Sequence, residues 1–200
     1  MRHSLEELES LRRNADTGGA EELLLYGKAL VRRKCFLHAL EPLGHALAQG
    51  DEISTHFWLA ICFESLKDYR ACLPHVRTLA RVHNHSSDHL WVARVLGKLK
   101  RFRGAAGHVE LAAGLEGRSG DRLWLADKLM EACCYETAVS YLEGTRYRNR
   151  LGIALLYSGR EEEALACFNE SLARHDDSVI RLWAAAARSE IKRRSERKKI

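Results

Sequence analysis

Apolar residues return every three or four positions along most of this chain, with charged residues between them, and no segment alternates strictly as a half-buried strand does. The pattern predicts helices throughout. Within it, four short strings repeat: FWLA at Phe57 to Ala60, LWVA at Leu90 to Ala93, LWLA at Leu123 to Ala126 and LWAA at Leu182 to Ala185. The first three lie 33 residues apart, and the four tryptophans of the chain, Trp58, Trp91, Trp124 and Trp183, all occupy this one slot. The interval of 59 residues between the last two divides into 26 and 33, which predicts a shortened unit followed by one of normal length. A residue that returns once per unit at one helical phase reads as a packing device between units rather than as a binding hot spot.

Small residues recur in two further sets. One runs Gly27, Ala60, Ala93, Ala126 and Gly152, the other Ala39, Cys72, Ala105, Ala138 and Ala164. Two antiparallel helices per unit, A and then B, explain both sets, because small side chains let the helix axes approach closely. Just before each B helix stands an aromatic, at Phe36, Tyr69, Phe102 and Tyr135, expected in a short turn where it caps the core of the pair. In this phase an N-terminal capping helix near Ser4 to Arg13 lies within 1–19, five units follow at 20–52, 53–85, 86–118, 119–144 and 145–177, and a capping helix with a basic tail fills 178–200. The B helix of the fourth unit, YETAVSYLEG, is the trimmed one.

The segment Leu151 to Asp177, LGIALLYSGREEEALACFNESLARHDD, resembles the tetratricopeptide repeat family. It has the family's LG pair at Leu151 and Gly152, the turn glycine at Gly159, EEA at Glu162 to Ala164 and the aromatic at Phe168. It departs at Ser171, where alanine is usual, and at Asp176, where proline is usual. The resemblance implies an all-α fold, a right-handed superhelix of stacked antiparallel helix pairs (an α-solenoid), with a concave face lined by A helices that binds peptides or helices of other proteins. It implies a non-enzymatic scaffold or adaptor, a subunit of a multiprotein assembly, as in families from secretion chaperones to the repeat subunits of the anaphase-promoting ubiquitin ligase.

Projection of the A helices at 3.6 residues per turn turns Ser54, Phe57, Ile61, Leu90, Arg94, Lys98, Leu123, Asp127, Arg146, Asn149 and Ile153 toward such a groove. An apolar strip through Phe57, Ile61, Leu90 and Leu123, flanked by charge, suits an amphipathic helix or an extended peptide. Packing between neighbouring A helices accounts for the same strip equally well. The Lys and Asn constellation with which tetratricopeptide co-chaperones hold a C-terminal carboxylate is not reproduced: Arg146 and Arg150 have the spacing of its third-repeat pair, but the other partners fall on Leu90 and Leu123.

Composition narrows the remaining classes. With 46% hydrophobic and 30% charged residues the chain is an ordinary globular one, and only two prolines, Pro42 and Pro74, interrupt it. No run approaches the roughly 18 apolar residues of a membrane span, and the charged start MRHSLEELESLRR lacks the apolar core of a signal peptide. A cytoplasmic location is expected, with the nucleus as an alternative and no membrane partner. The formal net charge is +5, of which residues 189–200 supply +4 from six Lys/Arg and two Glu. These cations suit a helix C-terminus, although phosphate binding or a nuclear-localisation patch would use them too. Nucleic acid is the less expected partner, since exposed aromatics are not interleaved in the tail.

Motifs for catalysis are missing: no phosphate-cradling glycine loop, nucleophile elbow, HExxH or paired carboxylates appear, so no enzyme, cofactor or metal is expected. In RVHNHSSDH, His83, His85, Asp88 and His89 would gather round a metal in principle, but the segment reads as a polar turn in which Ser87 or Asp88 caps the next helix. The six cysteines lie in helical patterns without CxxC spacing and read as reduced core residues, the adjacent Cys133 and Cys134 included. Gly104, Gly107, Gly114 and Gly117 weaken the third B helix unless they permit close packing. A protein or peptide is the expected partner, and self-association into a homodimer is open to a chain whose first helix is a modest cap. The alternatives to a scaffold are a chaperone for a client peptide and a nucleic-acid accessory protein working through the tail.

Overall fold

The computed structural model describes residues 5–50 and 53–197; Ser4, Lys198, Lys199 and Ile200, named above for the first helix and the tail, lie outside them. The described residues form helices joined by short turns, with no strand among them. In chain order these are α1 (Leu5–Thr17), α2 (Ala20–Arg32), α3 (Phe36–Gln49), α4 (Ile53–Ser65), α5 (Tyr69–His83), α6 (Ser86–Lys98), α7 (Phe102–Leu115), α8 (Arg122–Glu131), α9 (Tyr135–Leu142), α10 (Arg148–Ser158), α11 (Glu161–Arg174) and α12 (Ser178–Arg197). They build two compact units, 1–101 and 102–200. The division falls inside the segment 86–118, which gives α6 to one unit and α7 to the other. Within each unit every helix packs on the next, and alternate helices α2 and α4, or α10 and α12, also meet.

One turn is used over and over. Lys34, Lys67, Lys100 and Cys133, 33 residues apart, have φ of 64°, 61°, 58° and 58°, and Gly159, 26 residues further on, has φ 82°. At each, the left-handed residue donates its N–H three residues back, as in Lys34 to the Val31 carbonyl (2.8 Å). The next residue donates five back: Cys35 to Leu30 (2.9 Å), Asp68 to Phe63 (2.8 Å), Arg101 to Leu96 (2.9 Å), Cys134 to Leu129 (2.8 Å) and Arg160 to Leu155 (2.9 Å). This is the Schellman arrangement, which satisfies the last carbonyls of a helix and reverses the chain. The aromatics expected in these turns are instead the first residues of the helices that follow, and Phe102 is exposed.

Small residues set the packing distance within each pair. Gly27, Ala60, Ala93, Ala126 and Gly152 are all buried, as are Ala39, Cys72, Ala105, Ala138 and Ala164. At Gly27 a Cβ would stand 2.5 Å from Leu43 Cδ2, and at Gly152 2.6 Å from Phe168 Cε1, so α3 and α11 each seat a large side chain against bare backbone. Gly107 and Gly114 face open space, which removes the close-packing explanation for them. The first unit centres on Leu43, Val76, Leu79 and Leu96, the second on Val109, Leu129, Leu142 and Phe168. Pro42 and Pro74 do not interrupt helices but lie inside α3 and α5.

The C-terminal cations are partly committed to this packing. Arg194 Nη1 donates to the Gly159 carbonyl (2.7 Å) and to the Glu161 carboxylate, which ties α12 to the α10–α11 turn. Arg193 pairs with Glu190 at 2.7 Å, and Lys192 lies 3.9 Å from Glu196.

Candidate functional site

In the first unit the residues projected onto the groove lie on α4 and α6. Phe57 is 40% exposed and meets Trp58 (ring centroids 5.4 Å apart) and Trp91 (5.8 Å) nearly at right angles. Trp91 Nε1 donates to Glu64 Oε2 at 3.0 Å, and Arg94 Nε donates to Glu64 Oε1 at 3.1 Å. Glu64, one turn from Ile61 on α4, therefore locks α6 to α4, a role that spacing alone did not reveal. Arg32 of α2 lies over the Trp58 ring at 5.9 Å. Both tryptophans thus pack one helix against the next but one. Ser54, Ile61 and Leu90 are half-buried, and Arg94 and Lys98 are exposed. Of the apolar residues Phe57, Ile61 and Leu90, Phe57 alone is exposed.

The second unit carries a depression of about 500 Å³ between α8, α10, α12 and the first residue of α9. Its aromatic wall is a run of three rings: Tyr135 stacks on Tyr157 (5.0 Å, 18° between planes), and Tyr157 meets Trp183 edge-on (6.0 Å, 68°). Met130 and Ile153 extend the apolar lining, while Asp127, Glu131 and Arg150 supply charge. Arg150 Nη1 lies 3.6 Å from Asp127 Oδ1, an oxygen that has no hydrogen-bond partner and no solvent contact of its own. Glu131 is held by Lys128 Nζ at 2.8 Å. Burial, with Cys133 and Tyr157 alongside, pushes the Tyr135 phenol up to about 12, so Tyr135 stays protonated near neutral pH.

Of the residues projected onto this side, Asp127 and Ile153 line the depression. Leu123, Arg146 and Asn149 do not. Arg146 precedes α10 altogether, and its guanidinium stands 5.5 Å over the Tyr147 ring. Asn149 turns its Oδ1 back to accept from the Arg150 N–H at 2.9 Å. Projection missed Met130, Glu131, Tyr135, Tyr157 and Trp183, and the last three had signals of their own. Tyr157 is one turn beyond Ile153, and Trp183 and Tyr135 belong to the recurring aromatic slots.

Other reactive groups are subdued. Burial raises the thiols of Cys62 and Cys134 to about 11 and of Cys72 to about 12, which keeps them protonated and poorly nucleophilic. The turn between α5 and α6 departs from the expected cap. His85 is the N-cap residue, and Asp88 lies inside the first turn of α6, where its Oδ2 meets His83 Nδ1 at 3.1 Å.

No family model matches the chain, and no curated protein matches it. Solved structures do. YrrB, described as a TPR protein with an unusual peptide-binding site, superposes with a TM-score of 0.59 at 15% identity, over 90% of this chain and 99% of that one. The C-terminal part of a TPR repeat-containing protein from Cytophaga hutchinsonii gives a TM-score of 0.53 at 19% identity, over 82% of this chain and 69% of that one. At such identities the likeness shows the fold: this chain folds as tetratricopeptide repeat proteins do, an all-α arrangement of the α-solenoid class.

Proposed function

We propose that the chain is a non-enzymatic scaffold or adaptor of a multiprotein assembly that holds a peptide or helix of another protein on its A helices. The observation that carries this reading is the open aromatic depression of the second unit. Three adjacent rings supply rigid apolar contact at little conformational cost, and the Asp127 and Arg150 charges beside them can orient a polar partner. Phe57 and the half-buried Ile61 and Leu90 offer a second apolar surface on the first unit.

Further support comes from the fold, whose neighbours include a peptide-binding protein, and from thiols held in their unreactive form. No helix among the described residues is long and apolar enough to cross a membrane, and the reading places the protein in the cytoplasm or nucleus. A client-peptide chaperone would use the same surfaces. Action through a nucleic-acid-binding tail is less favoured, since Arg193 and Arg194 have carboxylate partners.

A library of displayed peptides selected against the full chain tests the reading, with selection repeated on a folded Tyr157→Glu/Trp183→Glu variant. Enrichment of peptides that bind the wild type and lose the variant is expected. Equal enrichment on both proteins, or none on either, counts against it.

A further inference from the structure

From the turn between α5 and α6 we infer that the chain carries a surface site for a zinc-class divalent metal ion, with His83, His85 and Asp88 as its protein ligands. The turn is shaped for it. Asn84 adopts the left-handed conformation (φ 49°, ψ 38°) that ends α5, and its N–H donates to the Ala80 carbonyl at 3.0 Å. His85 is extended (φ −90°, ψ 148°) and leads into α6. This reversal lays the His83 and His85 rings against each other, with centroids 5.5 Å apart and 24° between planes. The first turn of α6 then brings Asp88 Oδ2 to 3.1 Å from His83 Nδ1.

One donor atom from each of the three residues lies within 4.8 Å of the other two. Tetrahedral coordination at about 2.0–2.1 Å places neighbouring donors about 3.3 Å apart. The His83 and Asp88 pair is already at that spacing, and the His85 ring has to turn out of its stack on His83 to bring a nitrogen to the same point. Two imidazoles and a carboxylate form a donor set that favours zinc-class ions over calcium or magnesium, which prefer all-oxygen shells.

The backbone beneath is held independently of any ion. Buried His89 shares a 3.0 Å hydrogen bond between its Nε2 and Asn84 Oδ1, which anchors the side chain of the residue that makes the reversal. His83 and His85 are exposed, so an ion reaches them directly, and water completes the coordination. On binding, any proton on the coordinating nitrogens passes to solvent and the carboxylate turns from the imidazole to the metal.

The test is calorimetric titration of the full, chelator-treated chain with Zn²⁺ alone, paired with imidazole resonances followed by NMR. One equivalent is expected to bind with shifts confined to His83, His85 and their neighbours. Either His83→Ala or His85→Ala should weaken binding by more than about tenfold. Both residues are exposed, so circular dichroism should show the variants folded, and a Zn²⁺-dependent rise in Tm present in the wild type should vanish in them. No uptake up to millimolar Zn²⁺ would overturn the site. So would unchanged affinity in a His83→Ala/His85→Ala double variant, shifts centred on other histidines, or half an equivalent per chain, which would mean a metal shared between copies.

Discussion

A lysine with φ near 60° is under strain, because its Cβ crowds the neighbouring carbonyl. Lys34, Lys67 and Lys100 each bear it in the same turn where the last unit has Gly159. Left-handed backbone costs a side-chain-bearing residue about 1–2 kcal/mol, while glycine gives back about 0.5–1 kcal/mol through unfolded-chain entropy. Each of Lys34→Gly, Lys67→Gly and Lys100→Gly should therefore stabilise the chain by about 0.5–1 kcal/mol in urea unfolding, and Gly159→Ala should destabilise it by a similar amount.

Histidine chemistry gives a second expectation at this scale. His75 Nδ1 lies 2.8 Å from His56 Nδ1, and Phe63 stacks on the His75 ring at 5.6 Å. Burial, aided by His56, lowers the His75 pKa from 6.5 to about 4. The unfolded chain therefore binds more protons than the folded one between about pH 6.5 and 4, and stability falls as pH drops through that window. Allowing for partial solvent exposure, the loss should be about 2 kcal/mol. Unfolding midpoints at pH 7 and pH 4.5 should lie closer together in His75→Gln than in the wild type.

Helices in this chain are matched through their smallest residues. Gly27→Ala and Gly152→Ala drive a methyl into Leu43 and Phe168 and should cost about 1–3 kcal/mol each. The same change at Gly44 or Gly107, which face open space within helices, should instead stabilise by up to about 1 kcal/mol. Thermal or urea unfolding of the four variants separates packing from propensity. The sequence disclosed this level well, because the spacing of small and aromatic residues is set by helix contact and recurs from one repeat to the next. Its groove residues were less legible. Projection at 3.6 residues per turn treats a helix as already begun, but α10 starts only at Arg148, after the turn at Gly144, and Arg146 falls outside it. Tyr157 and Trp183 each stood at a recognisable position, but their meeting was not legible. Their rings meet only once α10 and α12 have packed, and no local pattern records that contact.

For the molecule as a whole, fold and function rest on different ground. Recurring tryptophans, paired small residues and one repeated turn specify a tetratricopeptide fold even at 15% identity to a solved structure. The proposed function depends on what the exposed A-helix side chains meet, and the packing of the fold does not specify those side chains. We propose that these side chains hold a partner protein. This claim is tested most directly by affinity capture and mass spectrometry in raised salt, comparing the wild type with folded Tyr157→Glu/Trp183→Glu and Phe57→Glu/Leu90→Glu variants. Partners that persist in salt with the wild type and disappear with at least one variant are the expected result. Partners retained by both variants, and lost only in salt or on deletion of residues 192–200, would contradict the claim and make the basic tail the working surface.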